Sequence, residues 1–492
     1  MKILLINPEI PSTFWSFRNA LKFISKRSSE PPLGLLTVAA MLPGDWEKRL
    51  IDMNVSPLRD EDIGWADYVF LTGMAIQRSS FREVVSRCNT LLVKVVAGGP
   101  MCTTDYQEME GIDHFVLNEA ELTLPLFITD LTNGIPQKVY SSTEYPDLTG
   151  TPVPQWQLLD LKKYATMTIQ YSRGCPHDCE FCSITVLNGR LPRTKGKEQL
   201  LHELETLYRL GWRGTVFIVD DNFIGNKKKL KQEILPAMIQ WARDHHYPFS
   251  YMTEAPIHLA DDDELIQLMV KAGFDGAFIG IETPNDESLK ECGKKHNQNR
   301  DLVKAVKKLQ RNGLMVSGGF IVGFDHDPLN IFEKQIHFIQ NSGIVTAMVG
   351  LLNAPPETRL FKRLSAEDRI RNNFMGDNMD GTTNIIPKMN MQKLMDGYKN
   401  ILVTIYAHKE YYQRVRTFLK EYRLPAYRSW KLDRTQFEAL IKSMWFLGVV
   451  EKGRRYFWSL VLSSLVRYPH KFALAITLAI YGFHFRRVVE TI

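Results

Sequence analysis

The 492-residue chain contains no run of about 20 apolar residues, the length that a bilayer-spanning helix needs. No secretory leader is expected, because Met1-Lys2 passes straight into the strand-like residues 3–6, too short for a leader's apolar region. Cysteine is sparse, with six in the whole chain, and Cys88, Cys102 and Cys292 stand singly. No second C-x-x-C or H-x-x-x-H accompanies the other three, which argues against the closed four-ligand set of structural zinc. A framework of paired cysteines is absent too, so a reducing, cytoplasmic setting is expected. Acidic residues run short in one region only. Residues 391–492 hold 18 Lys/Arg against 7 Asp/Glu, whereas residues 1–390 hold 43 against 48. That basic quarter reads either as a solvated face or as the site of an anionic partner such as a membrane surface; no nucleic acid is expected. The remaining composition, 44% hydrophobic and 24% charged, is that of a globular protein long enough for two or three domains.

What the chain does have is Arg173-Gly174-Cys175-Pro176-His177-Asp178-Cys179-Glu180-Phe181-Cys182, directly after a strand-like run at 164–171. Closely spaced thiolates on an irregular loop can wrap a cuboidal iron–sulfur cluster. Three cysteines ligate three of a cubane's four irons, and the fourth is left open for chemistry. Cys175-x-x-x-Cys179-x-Phe181-Cys182, with an aromatic before the third cysteine, resembles the signature of radical S-adenosylmethionine (SAM) enzymes. The resemblance implies a [4Fe-4S] cluster whose open iron chelates SAM, reductive cleavage to a 5′-deoxyadenosyl radical, and an external electron donor such as flavodoxin or ferredoxin.

The periodicity predicts an α/β protein in three parts. Residues 1–140 alternate short apolar strands (2–7, 49–53, 68–72, 94–97, 114–117) with helices such as 33–42 and 81–92, the pattern of a doubly wound, Rossmann-like parallel sheet. Residues 141–163, with Pro146, Pro152 and Pro154, read as a linker. Residues 164–370 give six strand–helix units, a partial (β/α)6 barrel. Residues 371–492 read as a loop followed by a basic, mainly helical region.

The N-terminal part resembles the cobalamin-binding domain that precedes many radical SAM barrels. The family's Asp-x-His-x-x-Gly element matches Asp52-Met53-Asn54-Val55-Ser56-Pro57, with Asn54 in the histidine's place. Its Gly-Gly element matches Gly98-Gly99, at a strand's C-terminal end where such sheets bind ligands. The resemblance thus implies bound cobalamin without an imidazole from position 54; the alternative is a degenerate domain that only packs against the barrel.

In the barrel, polar residues gather after the strands. By the same resemblance Asp220, Asp221 and Asn222 contact the amino group of SAM, Glu254 and Glu282 its amino group or ribose, and the Gly319–Gly323 segment its adenine. Acidic residues there also cap helices, and glycines also simply turn the chain. In the tail, apolar runs at 456–466 and 472–483 flank a basic, proline-containing turn. They read as an interfacial hairpin on the inner face of a membrane or as a buried helical pair. The layout resembles cobalamin-dependent radical SAM enzymes with a C-terminal extension, among them the hopanoid C-methylases. That implies methylation of an unactivated carbon of a small or lipid substrate. A radical rearrangement, cyclisation or oxidation, or a non-catalytic iron–sulfur protein, are the alternatives.

Overall fold

The computed structural model describes residues 1–371, 374–377, 379–425 and 434–492. The first unit is a six-stranded parallel sheet of β1 (Lys2–Asn7), β2 (Glu47–Asp52), β3 (Tyr68–Thr72), β4 (Lys94–Gly98), β5 (His114–Val116) and β6 (Val139–Tyr140), in the order β2-β1-β3-β4-β5-β6. Ile3 to Ile6 of β1 are fully buried, as a central strand covered on both faces requires. The helices α1 (Leu33–Met41), α2 (Arg78–Thr90) and α3 (Ala120–Thr132) supply that cover.

Residues 141–163 form three short 3-10 turns, with Leu148 and Trp156 buried, rather than a loose tether. Beyond them stands β7 (Met167–Ile169), shorter than the 164–171 run predicted because Tyr171 already turns toward the cysteine loop. That loop is flanked by a small antiparallel pair, β8 (Ser172–Arg173) and β9 (Arg193–Thr194). The parallel barrel strands continue as β10 (Gly214–Ile218), β11 (Phe249–Ala255), β12 (Phe274–Glu282), β13 (Met315–Val322) and β14 (Ala347–Leu351). The sheet order is β14-β13-β12-β11-β10-β7, so the six strands leave one side open between β14 and β7.

The outer helices are α4 (Lys197–Arg209), α5 (Leu235–Asp244), α6 (Asp263–Ala272), α7 (Leu302–Arg311) and α8 (Ile331–Ser342). Local chemistry sets their ends. Asp262 accepts from the Leu265 N–H, and Asp301 from the Lys304 N–H, each satisfying an orphan donor of a first turn.

The C-terminal helices are α9 (Met391–Tyr406), α10 (His408–Glu421), α11 (Arg434–Trp445), α12 (Arg454–Arg467) and α13 (Phe472–Val489). Together with residues 14–30 they cover the barrel's open side. Tyr406 bonds both the N–H and the C=O of Ala347 at the start of β14. Phe14 stacks on Phe485 of α13 at 4.3 Å, and Ser28 bridges Tyr164 just before β7. The stretch Pro469–Val489 is long and apolar enough to cross a membrane by length and composition, yet 61% of its most apolar window is buried within the fold. The two apolar runs of the tail therefore part company. The second is a core helix, whereas the first, on α12, keeps an exposed apolar face.

Candidate cluster and cofactor site

The cysteine loop is held from outside by bonds that leave its thiols free. The Cys175 N–H donates to the Gly189 carbonyl, and the Glu180 N–H to the Cys292 carbonyl. Arg363 clasps the Glu180 carboxylate at 2.7 Å, and Arg359 donates to the Asp178 carbonyl. Gly174 lies at φ +92°, where an added Cβ would stand 2.5 Å from the Leu191 carbonyl oxygen, so only glycine makes this entry turn.

Among the described residues, no three His, Cys, Asp or Glu side chains converge on one point as ligands of a single metal ion. The three thiols are still close enough for Cys175 and Cys179 to raise the Cys182 thiol electrostatically, after burial, its main cause, has pushed it to about 12. In a multi-iron cluster each thiolate binds its own iron, so the three thiols need not converge on one point. All six cysteines are free thiols.

The predicted site residues divide among different tasks. Asp220 is fully buried and accepts from the Tyr171 N–H and the Ser172 hydroxyl, bracing the base of the cysteine loop. Burial pushes its carboxyl up to about 7. Asn222 donates toward the Cys175 sulfur at 3.6 Å. Asp221 lies among them, its carboxyl raised by burial to about 6. Glu254 does not follow its strand as the sequence reading placed it, for β11 runs on to Ala255 and Glu254 lies within it.

Register defines the barrel's inner face. Phe217 pairs with Met252, Glu254 with Phe278, and Gly319 with Gly280 and Met348. An added Cβ at Gly319 would meet the Phe278 ring at 2.8 Å, so this glycine keeps room inside. Gly323, at φ +106°, instead makes the turn after β13 and donates its N–H to Asp327.

Glu254 has a neighbour that the sequence did not reveal. Burial, then Asp221 and Glu30, raise its carboxyl to about 8. Glu30 itself rises to about 7. By accessible surface Glu30 is exposed, whereas Asp221 and Glu254 are half-buried. Three carboxyls thus crowd one interior, opposed by Lys294. Burial works against the Lys294 ammonium, but Glu282 and Cys179 outweigh it and hold the group charged.

Two further residues of the loop have partners outside it. Arg173 pairs with Glu119 at 2.7 Å and Glu121 at 2.9 Å, tying the barrel to the first unit. The His177 ring lies 4.0 Å from that of His296 and 5.5 Å from that of His258.

In the first unit, Asp52 and Asn54 lie together at the C-terminal edge of β2. Asn54 accepts from the Ile10 N–H and donates to Asp52, and Asp52 accepts from the Tyr164 hydroxyl at 3.0 Å. Gly98 and Gly99 occupy the same edge after β4, where added Cβ atoms would meet the Val116 carbonyl at 2.7 Å and the Thr72 hydroxyl at 2.6 Å. No histidine stands among the described residues of this edge.

The comparisons accord with this geometry. Residues 169–339 match the radical SAM superfamily, and residues 358–492 match a domain of unknown function (DUF4070). The chain is 39% identical to an uncharacterized methyltransferase of Synechocystis sp., over 100% of this chain and 92% of that protein. It is 34% identical to the hopanoid C-2 methylase of Rhodopseudomonas palustris, over 75% of this chain and 71% of the methylase. In fold it resembles OxsB, described as a cobalamin-dependent SAM radical enzyme, with a TM-score of 0.65 at 14% identity over 99% of this chain and 80% of OxsB. It also resembles the methyltransferase TsrM of Kitasatospora setae, with a TM-score of 0.58 at 15% identity over 75% of this chain and 79% of TsrM. With its cluster loop at the mouth of a six-stranded barrel and relatives matched across most of their length, the chain belongs to the radical SAM superfamily of enzymes, in the group that includes the hopanoid C-2 methylase.

Proposed function

We propose that this enzyme methylates an unactivated carbon of a hydrophobic substrate, with SAM at a [4Fe-4S] cluster and cobalamin on the first sheet. The observation that carries the reading is the Tyr164–Asp52 bond, which joins the sheet edge carrying Asn54 to the chain just before β7. That bond, with the Arg173–Glu119 pair after β7, ties the first sheet to the barrel. Bound SAM would supply a hydrogen-abstracting radical, and bound cobalamin the methyl group.

This chain's residues hold and orient. Cys175, Cys179 and Cys182 hold the cluster, and Asn222 supports the first thiolate. Asp221, Glu254 and Glu30 face a cationic ligand, which the sulfonium and ammonium of SAM provide. Phe217, Met252, Phe278 and Met348 share the inner face by register and would offer an apolar substrate its contacts. Asp52, Asn54, Gly98 and Gly99 form the cobalamin edge. A flavodoxin or ferredoxin is the proposed electron donor, and the cytoplasm, with peripheral contact at the inner membrane face, the proposed location.

Incubation of anaerobically reconstituted enzyme with methyl-labelled SAM, a reductant and a cell lipid extract tests the reaction. Label in an extracted lipid together with 5′-deoxyadenosine is expected; 5′-deoxyadenosine with no methylated product would favour a rearrangement or oxidation instead.

SAM binding should depend on pH with a definite sign. Protonated carboxyls bind a cation poorly, and Asp221, Glu30 and Glu254 are raised to about 6, 7 and 8. Affinity should therefore rise from about pH 6 to about pH 8, and binding should release protons. Glu254→Gln should weaken SAM roughly tenfold and flatten the upper part of this curve. Calorimetry in two buffers of different ionisation enthalpy measures both; an affinity indifferent to pH would remove the carboxyls from the site.

Asn54 offers cobalt no imidazole. The Co(II) form of the loaded enzyme should accordingly lack axial nitrogen splitting from the protein in its paramagnetic resonance spectrum. A clear nitrogen triplet, or failure to take up cobalamin, would count against the proposal.

A further inference from the structure

We propose that the outward faces of α11 and α12, with the turn that joins them, dock this enzyme on an anionic lipid bilayer. On α11, Phe437, Ile441 and Trp445 recur at helical spacing and are each more than half exposed. The turn adds Phe446, Val449 and Val450, and α12 adds Trp458, Leu462, Leu465 and Val466, the last 82% exposed. These ten are close to half of the 23 exposed large apolar side chains among the described residues, gathered in 30 residues, whereas the others are scattered. Both helices are therefore apolar on two sides. Ala439 of α11 and Phe457, Leu460 and Val461 of α12 face the protein core, and none of the described residues buries the opposite side. Trp458 donates its indole N–H to the Gly448 carbonyl, which sets α12 against the turn so that the two stripes join. A patch of this kind marks an interaction site rather than ordinary surface.

Charge selects the occupant. Residues 434–471 hold seven Lys/Arg against two Asp/Glu, and of the acids Glu451 is taken up by Arg486 and Arg487. Lys452, Arg454, Arg455 and Arg467 remain exposed around the apolar stripe. Two copies meeting through this face would set like charges together, whereas lipid phosphates complement them. Helices of 12 and 14 residues, about 20 Å long, are too short to span and lie in the interface.

The face also leads to the barrel. Lys442 of α11 bonds the Lys22 carbonyl and the Ser25 hydroxyl, and Phe446 packs edge-on against Phe23. These belong to the 14–30 segment that lies across the open side between β14 and β7. From the same segment, Trp15 reaches the inner-face ring of Phe278 at 5.3 Å. A molecule leaving the bilayer at this face would meet that segment, packed against α13, before the interior. The purpose of the contact rests on the hydrophobic-substrate reading; the contact itself does not.

Flotation of the full-length reconstituted protein tests the proposal. Vesicles of phosphatidylcholine alone are compared with vesicles of equal parts phosphatidylcholine and phosphatidylglycerol, and no turnover is required. Strong flotation is expected with the anionic vesicles and about tenfold less with the neutral ones. The variant Trp445→Ser/Leu462→Ser/Val466→Ser should lose flotation on both. Lys452→Glu/Arg454→Glu/Arg455→Glu should lose only the anionic part, and added salt should mimic it. These side chains are exposed, so both variants should melt as the parent does. Failure of the parent to float on either vesicle would overturn the proposal. So would a dimer in sedimentation without lipid that the apolar variant dissociates, because the face would then join two copies. Methyl transfer is scored separately, so its failure would leave a flotation result standing.

Discussion

Replacing Cys175, Cys179 and Cys182 by alanine, singly or together, is expected to abolish both iron retention and reductive cleavage of SAM. The parent, reconstituted without oxygen, should hold about four irons per chain, the content of one cubane. A large functional loss with little structural loss is expected, because the loop does not depend on its thiols for shape. Its anchors are the Arg363–Glu180 clasp, the Arg359 bond to the Asp178 carbonyl and the main-chain bonds of Cys175 and Glu180, none of which involves sulfur. The triple variant should therefore keep its far-ultraviolet dichroism while losing the cluster's visible absorbance and all 5′-deoxyadenosine production. Zinc as the sole stoichiometric metal of the parent, or four irons in the triple variant, would refute the assignment.

Glu282→Gln is the substitution with the largest expected cost to the fold. Glu282 ends β12 at φ +63°, a left-handed conformation that a non-glycine residue keeps only under constraint. The constraint is its ion pair with Lys294, both side chains being nearly enclosed. Gly280 makes room for it, since an added Cβ there would lie 2.5 Å from both charged groups. Removing the carboxylate leaves a buried ammonium without its partner, a change that costs about 3–5 kcal/mol. For a chain of this size the melting temperature should fall by roughly 3–5 °C. Lys294→Met added to Glu282→Gln should restore much of that stability, because neither buried charge remains. The double variant would still lack the cation beside Cys179, so its cluster should have a more negative midpoint potential than the parent's. Equal melting of single and double variants would show that the pair does not carry the strain.

The sequence by itself determined the chemistry of the cluster and the plan of the fold. Three cysteines at CxxxCxxC spacing act through local chain geometry, so their meaning does not depend on distant partners. The buried parallel strands were legible for a similar reason. Runs such as Lys2–Asn7, Tyr68–Thr72 and Met315–Val322 are apolar because both faces are covered, and their ends fall where the apolar run ends. What stayed hidden was every role that depends on which distant segment arrives beside a residue. Glu30 precedes a pair of prolines in a polar stretch and gives no local sign that it faces Glu254. Arg173 sits in the cluster motif yet pairs with Glu119, and His177 meets His258 and His296 from later barrel loops. The tail shows the same division. Composition revealed two apolar runs amid basic residues, but a hydrophobic side chain gains as much from a protein core as from a lipid, and sequence alone does not choose between them. Only the packing of α13 against Phe14, Tyr406 and Tyr411 committed the second run to the core, while α11 and α12 kept theirs outside.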